Sequence, residues 1–551
     1  MDKLFVVAIG GTGMRCLESF VHLCSIGMFD NEEIEVLTLD TDQTNGNKGR
    51  VEELIDLYQK IKSNDESNKD GGQPNVDTFF SAKLNLYRFF TDYSNQSRST
   101  YKLLASMQNA TDEQKKANED LANLFLDPAT VQAFNLDHGY RAQTHLGSML
   151  MYHGIIEAAV NYTKDKNSAK TQERELIEFL NLLAQAGSDA RVFVFGSVFG
   201  GTGASSIPVI PTAFKDAVDI CGQNTLDLTK IKFGSTLLTE YFTFTPPDEN
   251  QKKKEHVVAD ATIFALNSQA ALQFYQSDPT VKSVYKRLYH VGWPLHNKEN
   301  VSGNTSETIT GGSEQKNACH VVELMCACAA YDFFTIDNSV LESTQEAQYL
   351  YRRVPFSANT FDFSGSDFVG DKGDLFMNKL GAMLSLAHIV LTKHGAIGGM
   401  NGVKGLLGRF EKQKITSYKS ITDGQAKELD DYFKMFAYNK DGEGRFINGW
   451  IYQIRNSVGS GAFMFRSEAF PDGVSIKSVD PGNIFIDERH KWDKGKLGFG
   501  DDARYDYFID TTVTDSKCLP KDKQKVNTVK EKFLAHLYNG ITVAQKFNVN
   551  S

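Results

Sequence analysis

An α/β fold with a parallel sheet is predicted by three apolar runs in this 551-residue chain and by the turns that end them. Residues 4–9 and 191–198 are runs of β-forming residues that each lead into Gly-Gly-Thr-Gly, and residues 34–39 run into an acidic turn at 40–42. The continuous apolar run at 4–9 is typical of a strand buried on both faces of a parallel sheet. The order strand, glycine turn, helix, strand predicts a Rossmann-like unit whose ligands lie at the carboxyl ends of the strands.

The elements between and beyond these runs are predicted from periodicity. Apolar residues recur at helical spacing after the first glycine turn and stop near Gly27. Residues 60–76 are polar and turn-rich and predict a surface loop, whereas 78–135 have a helical and irregular pattern. Residues 317–334 are apolar on almost every side, which predicts a helix running through the middle of the protein. The pattern beyond residue 340 predicts a second domain of mixed α and β structure.

Composition and charge argue against several classes of protein. Hydrophobic residues make up 41% of the chain and charged residues 23%, which is ordinary for a soluble globular protein. The formal net charge of −10 argues against a surface that binds nucleic acid or an anionic membrane. No apolar run approaches the roughly 18 residues that span a bilayer. The seven cysteines lack paired metal-binding spacing, and their odd number without a secretory leader predicts a cytoplasmic protein with no metal ligands of its own.

The two glycine turns, residues 10–13 and 200–203, are suited to binding phosphate. Glycine lets the backbone approach an anion, and the N–H groups of the first helical turn point at that anion. A threonine in each turn, Thr12 or Thr202, adds a hydroxyl donor. Neither turn fits the Gly-x-x-x-x-Gly-Lys-Ser/Thr loop, and the first lacks the Gly-x-Gly-x-x-Gly spacing of a dinucleotide-binding fold. A single such turn is often only a site of tight packing, but two of them predict one polyphosphate held from both sides.

The second turn lies in a longer stretch, GSVFGGTGASSIPVI, which resembles the signature loop of the tubulin/FtsZ family. Five residues match that signature in register and three depart from it: Gly200, Gly201, Thr202, Gly203 and Pro208 match, and Phe199, Ala204 and Ser205 depart. The N-terminal VVAIGGTGMRCLESF resembles the first nucleotide loop of the family, and LTLDTDQTN is similar to the second. The resemblance is to a divergent prokaryotic member of the family and covers about the first 335 residues.

The resemblance implies a domain arrangement. It implies a Rossmann-like, parallel-sheet GTP-binding domain over residues 1–316, with a helical insertion at 46–135 because the glycine turns lie unusually far apart. A long buried central helix would follow at 317–335. The remainder, 336–551, would be a C-terminal α/β domain of tubulin/FtsZ type.

The resemblance also implies a nucleotide site. The expected cofactor is GTP or GDP, with Mg²⁺ held through the phosphates and water. Arg141, in GYRAQTHLG, would meet the terminal phosphate, Glu249 would accept a hydrogen bond from the ribose, and Asn317 would face the edge of guanine. The complete set of expected binding residues is Gly10, Gly11, Thr12, Gly13, Asp40, Thr41, Asp42, Arg141, Gly200, Gly201, Thr202, Gly203, Glu249 and Asn317.

Proteins of this family assemble head to tail, and an acidic loop after the central helix completes GTP hydrolysis in the neighbouring subunit. Such chemistry needs a carboxylate near the attacking water. Asp337 and Asp332 are the expected catalytic residues, although the family's Asn-x-Asp-x-x-Asp pattern is missing. The expected partner is a second copy of the chain, in a homo-oligomer or filament, together with proteins encoded nearby.

Two alternatives remain open at this stage. One is a nucleotide-binding scaffold that keeps the fold and has lost hydrolysis, which the departures at Phe199 and after the central helix favour. The other is a Rossmann-type NAD-dependent enzyme in which Asp40 or Asp42 binds the ribose. This second alternative leaves the second glycine turn without a role.

Overall fold

A computed structural model describes most of the chain. The described residues are 2–63, 71–91, 111–114, 116–117, 120, 144–250, 259–294, 297–300, 311–357, 360–391, 397–398, 405–459 and 509–542. Among them, no helix has the length and apolar composition needed to cross a bilayer.

The centre of the molecule is a seven-stranded sheet in which every neighbouring pair of strands is parallel. Its spatial order is β3-β2-β1-β4-β5-β6-β7. The chain order therefore reverses between β1 and β4, the place where a crevice opens in sheets of this kind. The strands are β1 Lys3–Ile9, β2 Glu33–Asp40, β3 Lys83–Phe90, β4 Ala190–Phe195, β5 Lys232–Leu238, β6 Tyr285–Val291 and β7 Gln348–Arg352.

Helices cover both faces of the sheet, as a sheet buried on both sides requires. The α/β fold with a parallel, Rossmann-like sheet that the sequence predicts is therefore confirmed. The helices are α1 Gly10–Ser25, α2 Gly46–Lys62, α3 Thr144–Lys164, α4 Thr171–Ala186, α5 Thr202–Ser206, α6 Ile210–Cys221, α7 Phe264–Ser277, α8 Pro279–Val284, α9 Val321–Thr335, α10 Asn338–Glu342, α11 Gly365–Val369, α12 Gly373–Val390, α13 Leu406–Lys412, α14 Asp423–Phe436, α15 Trp450–Val458 and α16 Val529–Thr542.

The helix expected at 317–335 is α9, and it is buried on nearly every side. It begins at Val321, four residues later than the sequence predicts, because His320 and Glu323 form the capping arrangement there. The His320 ring accepts a hydrogen bond from the Val322 N–H, and the Glu323 carboxylate accepts one from the His320 N–H. Residues 317–320 are therefore an extended approach to the helix.

Two segments of the helical insertion expected at 46–135 belong instead to the central α/β unit. Residues 46–62 form α2, which packs beside α1, and residues 83–90 form β3, an edge strand of the central sheet. Leu84, Leu86 and Phe89 are β-forming residues on a strand that is buried only in part, which gives a weaker pattern than β1 or β4. Most of 92–143 lies outside the described residues.

The C-terminal region differs from the mixed α/β domain expected to begin at 336. Residues 348–352 are β7 and belong to the central sheet, so the first unit extends past α9. In the described residues beyond 353, strands occur only as two-residue or three-residue pairs, and α11 to α16 supply most of the regular structure. These helices join the core of the first unit, where Trp450 stacks on His22 of α1 at 4.5 Å.

Candidate functional site

The carboxyl ends of β1, β2 and β4 lie side by side where the strand order reverses, which is the place of the crevice in sheets of this kind, and each strand leads into one of the turns that the sequence singles out. β1 ends at Ile9 and passes into the first glycine turn, and β2 ends at Asp40 in the acidic turn. β4 ends at Phe195, a few residues before the second glycine turn. The crevice therefore lies at the switch point of the sheet, where ligands of open α/β folds bind.

The first glycine turn opens α1 directly after β1. Gly10 has a φ of +64°, a backbone conformation that favours glycine. A Cβ on Gly13 would lie 2.5 Å from the carbonyl oxygen of Phe195, so α1 approaches β4 too closely for a side chain there. Ile9 precedes the helix and has no polar atom in its side chain with which to cap the first N–H groups. The start of α1 is thus an uncapped helix N-terminus, which favours an anion.

The second glycine turn lies directly against the first. A Cβ on Gly10 would meet the Cβ of Thr202 at 3.0 Å, although the two residues are far apart in sequence. Gly203 packs on the backbone of Ser197, because its Cβ would lie 2.7 Å from that residue's carbonyl oxygen. Gly200 has only ordinary space around it, since a Cβ there would lie 3.4 Å from the Ser197 hydroxyl. The two turns therefore share one wall of the crevice.

Packing accounts for Phe199, one of the residues that depart from the signature that the sequence resembles. Its ring is buried and contacts Phe264 at 5.0 Å and Phe242 at 5.5 Å between ring centres. The side chain points into an aromatic cluster beneath the turn. A glycine at this position would leave a cavity in that cluster.

The acidic turn after β2 is buried beside the first glycine turn. One carboxylate oxygen of Asp40 accepts hydrogen bonds from the Thr41 and Asp42 N–H groups. The other oxygen, Oδ2, is buried without a hydrogen-bond partner among the described residues, and so is the Thr41 hydroxyl. Burial, reinforced by the neighbouring Asp42 carboxylate, raises the pKa of Asp40 to about 7. This turn offers polar atoms that the protein itself does not satisfy.

Residues 311–317, just before α9, form the opposite wall. The Gly312 N–H donates to Asp42 at 2.6 Å, and Gly46 donates to the Gly312 carbonyl at 3.0 Å. Asn45 donates to Gln315 at 2.9 Å. The segment was missed because its Gly, Ser and Gln residues carry no periodic signal, and its position just before a buried helix was the available clue.

Asn317 belongs to this wall. Asn47 donates to the side chain of Asn317 at 3.2 Å and accepts from the Asn317 N–H at the same distance. Gly11 also lies near this wall. A Cβ on Gly11 would lie 3.2 Å from the side-chain nitrogen of Asn45, and that nitrogen donates to Gln315. The structure thus brings Asn317 and the first glycine turn to the same crevice.

One buried arginine, Arg15, and one partly buried arginine, Arg50, fix this wall to α1 and α2. Arg15 pairs with Glu323 at 2.5 Å and donates to the carbonyl of residue 318 at 2.6 Å. Arg50 pairs with Glu18 at 2.6 Å and donates to the carbonyl of Asn317 at 2.9 Å. Because buried ion pairs require fixed partners, the position of 317–323 is tied to the helices that begin at the crevice.

The remaining expected binding residues differ in their positions relative to the crevice. Arg141 lies outside the described residues. Glu249 is exposed and lies six residues after the short strand Phe242–Thr243. Thr12 and Gly11 are half-buried at the start of α1, and Gly201 is buried in the second turn.

The two expected catalytic carboxylates lie away from the crevice, and Asp337 lies at the opposite, amino-terminal edge of the sheet. Asp332 accepts a hydrogen bond from Tyr289 at 2.7 Å and pairs with Arg352 at 3.1 Å. Asp337 caps α10, and its hydrogen bonds with Ser339 lower the pKa of its carboxyl group. The next residue, Asn338, donates to Asp2, which precedes β1. Within one chain, neither carboxylate reaches the crevice.

Neither the described side chains nor the comparison with known proteins indicates another function for the crevice. Among the described residues there is no cluster of three or more His, Cys, Asp or Glu side chains that could hold a metal ion. No model of a known protein family matches the chain, and a search of curated proteins found no significant match. The arrangement is one of backbone N–H groups, small residues and amide side chains, which can bind an anionic ligand with a hydrogen-bonding base.

Proposed function

We propose that this chain binds GTP in the crevice between residues 10–13, 40–47, 200–203 and 311–317. The observation that carries the proposal is the contact between the two glycine turns, where a Cβ on Gly10 would lie 3.0 Å from the Cβ of Thr202. Two backbone cradles on one crevice suit a polyphosphate, and the uncapped N-terminus of α1 adds a favourable dipole. Asn317, with the amide side chains beside it, would read the base.

The ligand would carry Mg²⁺ on its phosphates. Asp40 and Asp42 lie in the acidic turn that follows β2, the strand paired with β1, and Asp40 keeps one oxygen without a partner among the described residues. A hydrated cation on the phosphates would supply the charge that such a carboxylate needs beside an anion. These residues would act through water, because no full ligand set surrounds the position in the part of the chain that the structure describes.

We further propose that the protein is a divergent tubulin/FtsZ-like protein that assembles head to tail. The placement of the crevice and of Asp337 at opposite edges of the sheet supports this, since stacking would bring Asp337 of one copy towards the nucleotide of the next. Asp337 is exposed. Asp332 is held by Tyr289 and Arg352 and is the weaker choice for a catalytic role.

A scaffold that binds GTP and hydrolyses it poorly is the second candidate. The internal ion pair of Asp332 leaves Asp337 as the single exposed carboxylate of the two expected catalytic residues. The NAD-dependent enzyme is less well supported. The Gly312 N–H donates to the Asp42 carboxylate. The segment that contains Gly312 therefore lies at the end of β2, where a ribose would have to bind.

The nucleotide is tested with the purified full-length chain. Nucleotide released on denaturation, or binding of added GTP measured by calorimetry, should show GTP and GDP and not NAD. Gly200→Val fills open space in the second turn and should weaken GTP binding about 10- to 100-fold without unfolding the protein. Gly442→Val is the matched control, since a Cβ at Gly442 meets nothing within 4 Å in an exposed hairpin turn. Equal GTP affinity in both variants would remove the basis of the proposal.

Assembly is tested separately by light scattering with GTP, GDP and a slowly hydrolysed GTP analogue. A filament-forming GTPase scatters with GTP and then loses the signal, whereas Asp337→Asn should keep the signal for longer. The scaffold predicts the same trace for both chains. No GTP-dependent scattering in the wild type would contradict assembly and leave GTP binding to be judged by calorimetry.

A further inference from the structure

A groove lies between α7 and the ends of β6 and β7, at the edge of the sheet away from the crevice. Its volume is about 930 Å³, and β7 is an edge strand. Aromatic side chains line much of the groove, among them Trp293, Tyr349, Tyr351 and Phe356. Clefts that combine apolar walls with a few polar groups are typical of ligand sites, and the polar groups select the ligand.

Three glutamines of α7 border one side of the groove. Gln269, Gln273 and Gln276 are exposed and follow one another at spacings of four and three residues, which places them on one face of the helix. At 1.5 Å per residue, the row covers about 10 Å. Their side chains form no hydrogen bond with another residue that the structure describes. A glutamine amide both donates and accepts hydrogen bonds, as a peptide unit does, so the row is complementary to an extended backbone.

Alternate residues of β7 and the position after it border the other side. Tyr349, Tyr351 and Arg353 lie two residues apart, so they share one face of the strand and cover about 13 Å. The tyrosines are 43% and 64% exposed. A Cβ on Gly292 would lie 4.0 Å from the Tyr351 hydroxyl, which places this ring over the end of β6. Tyrosine and arginine are the residue types that often carry the binding energy of protein interfaces.

The guanidinium of Arg353 is the uncompensated charge among the described lining residues. Glu240 pairs with Lys298 at 3.2 Å and accepts a hydrogen bond from Ser268 at 2.7 Å. Burial lowers the pKa of His290, so its ring is neutral at pH 7. Arg353 is exposed and forms no ion pair or hydrogen bond with another described residue. An unpaired guanidinium at one end of the groove favours a carboxylate on the ligand.

We propose that this groove binds an extended segment of a partner protein, about four residues long, with an acidic side chain at the Arg353 end. An extended segment of that length covers about 13 Å, which matches the two borders of the groove. The glutamines of α7 bind its backbone, and Tyr349 and Tyr351 pack on its side chains. The site uses none of the residues proposed to bind GTP, so the two functions are independent.

An array of randomised eight-residue peptides, probed with the full-length chain, tests the charge preference. The wild type should select peptides that share Asp or Glu at one position beside an apolar residue. Arg353→Glu should select Lys or Arg at that position, because the charge that meets the peptide is reversed. Arg445→Glu is the matched control, since it makes the same change of charge at an exposed hairpin residue, and it should keep the acidic preference. No acidic preference in the wild type, or an acidic preference that Arg353→Glu keeps, would overturn the proposal.

Filling the groove tests where the selected peptide binds. A Cβ on Gly292 has room, at 3.4 Å from the Thr239 hydroxyl, and both of its nearest neighbours line the groove. Gly292→Leu should therefore extend into the groove and weaken binding of the best array peptide about 10-fold or more in fluorescence anisotropy, with unchanged circular dichroism. Gly442→Leu, where a Cβ meets nothing within 4 Å, should bind like the wild type. Unchanged affinity in a folded Gly292→Leu chain would contradict binding in this groove.

A small aromatic carboxylate tests whether the ligand is a peptide. 3-(4-Hydroxyphenyl)propionate carries a ring and a carboxylate but no peptide backbone, so it should bind about 100-fold more weakly than the best array peptide, because it leaves the glutamines without partners. Equal affinity would mean that the groove takes a small molecule, and the peptide assignment would be wrong. Calorimetry with GTP should give the same affinity for the wild type and Arg353→Glu, which separates this site from the crevice.

Discussion

The two glycine turns have the same four residues but are held in place differently. The first opens the sixteen-residue helix α1, which Arg15 ties to Glu323 of the central helix by a buried ion pair. The second opens the five-residue helix α5, which has no charged residue and is held by the contact of Gly203 with the backbone of Ser197. The last glycine of each turn is tightly packed, and the first turn is tied in addition by a buried ion pair, so a motif match does not say what holds the motif or which of its glycines meet a ligand.

Removing the ion pair between Arg15 and Glu323 should have the largest effect on the free energy of unfolding. Glu323→Gln leaves the Arg15 guanidinium buried without its counter-charge, so the free energy of unfolding should fall by about 3–5 kcal/mol in urea titrations. The control is Glu443→Gln, whose ion pair with Arg445 is exposed and should contribute close to nothing. Equal effects from the two substitutions would mean that the ion pair of α1 does not anchor the first turn.

Adding a methyl group to the packing glycines should come next. Gly13→Ala places a Cβ 2.5 Å from the Phe195 carbonyl, and Gly203→Ala places one 2.7 Å from that of Ser197. Each should cost about 1–3 kcal/mol in the free energy of unfolding, with Gly13→Ala the larger. Gly49→Ala, in α2, meets nothing within 4 Å and should instead stabilise the protein by about 0.5–1 kcal/mol. Urea unfolding of the three variants measures the order.

The sequence predicted the strands and turns that carry strong local signals and missed what depends on tertiary contacts. β1 and β4 are nearly continuous apolar runs, β2 is apolar at four of its eight positions, and the turns that follow these strands could be placed on one sheet edge from the parallel-strand rule alone. β3 could not be identified from its pattern because an edge strand alternates between buried and half-buried residues. The wall at 311–317 has no periodicity, and only its hydrogen bonds with Asp42, Asn45 and Asn47 show its place.

The acidic turn beside the first glycine turn should make the stability of the protein depend on pH. The pKa of Asp40 is about 7 in the folded protein and near 3.9 when unfolded. The folded state therefore holds a proton that the unfolded state releases between these values, and stability falls as the pH rises from 5 to 8. Asp40→Asn should lose less stability over this range than the wild type. Urea unfolding at both pH values measures the difference, and parallel losses would contradict it.

The smallest stability effect should come from the glycine that packing does not require. Gly200→Ala puts a methyl group at ordinary contact distance from the Ser197 hydroxyl, and its φ is not in the left-handed region, so the free energy of unfolding should stay within about 0.5 kcal/mol of the wild type. If the second turn cradles phosphate, the same methyl group should still weaken GTP binding, because it stands where the backbone must approach the anion. Stability and affinity would then separate at Gly200 and fall together at Gly203. A loss of stability at Gly200 as large as that at Gly203 would mean that packing alone accounts for every glycine of the turn.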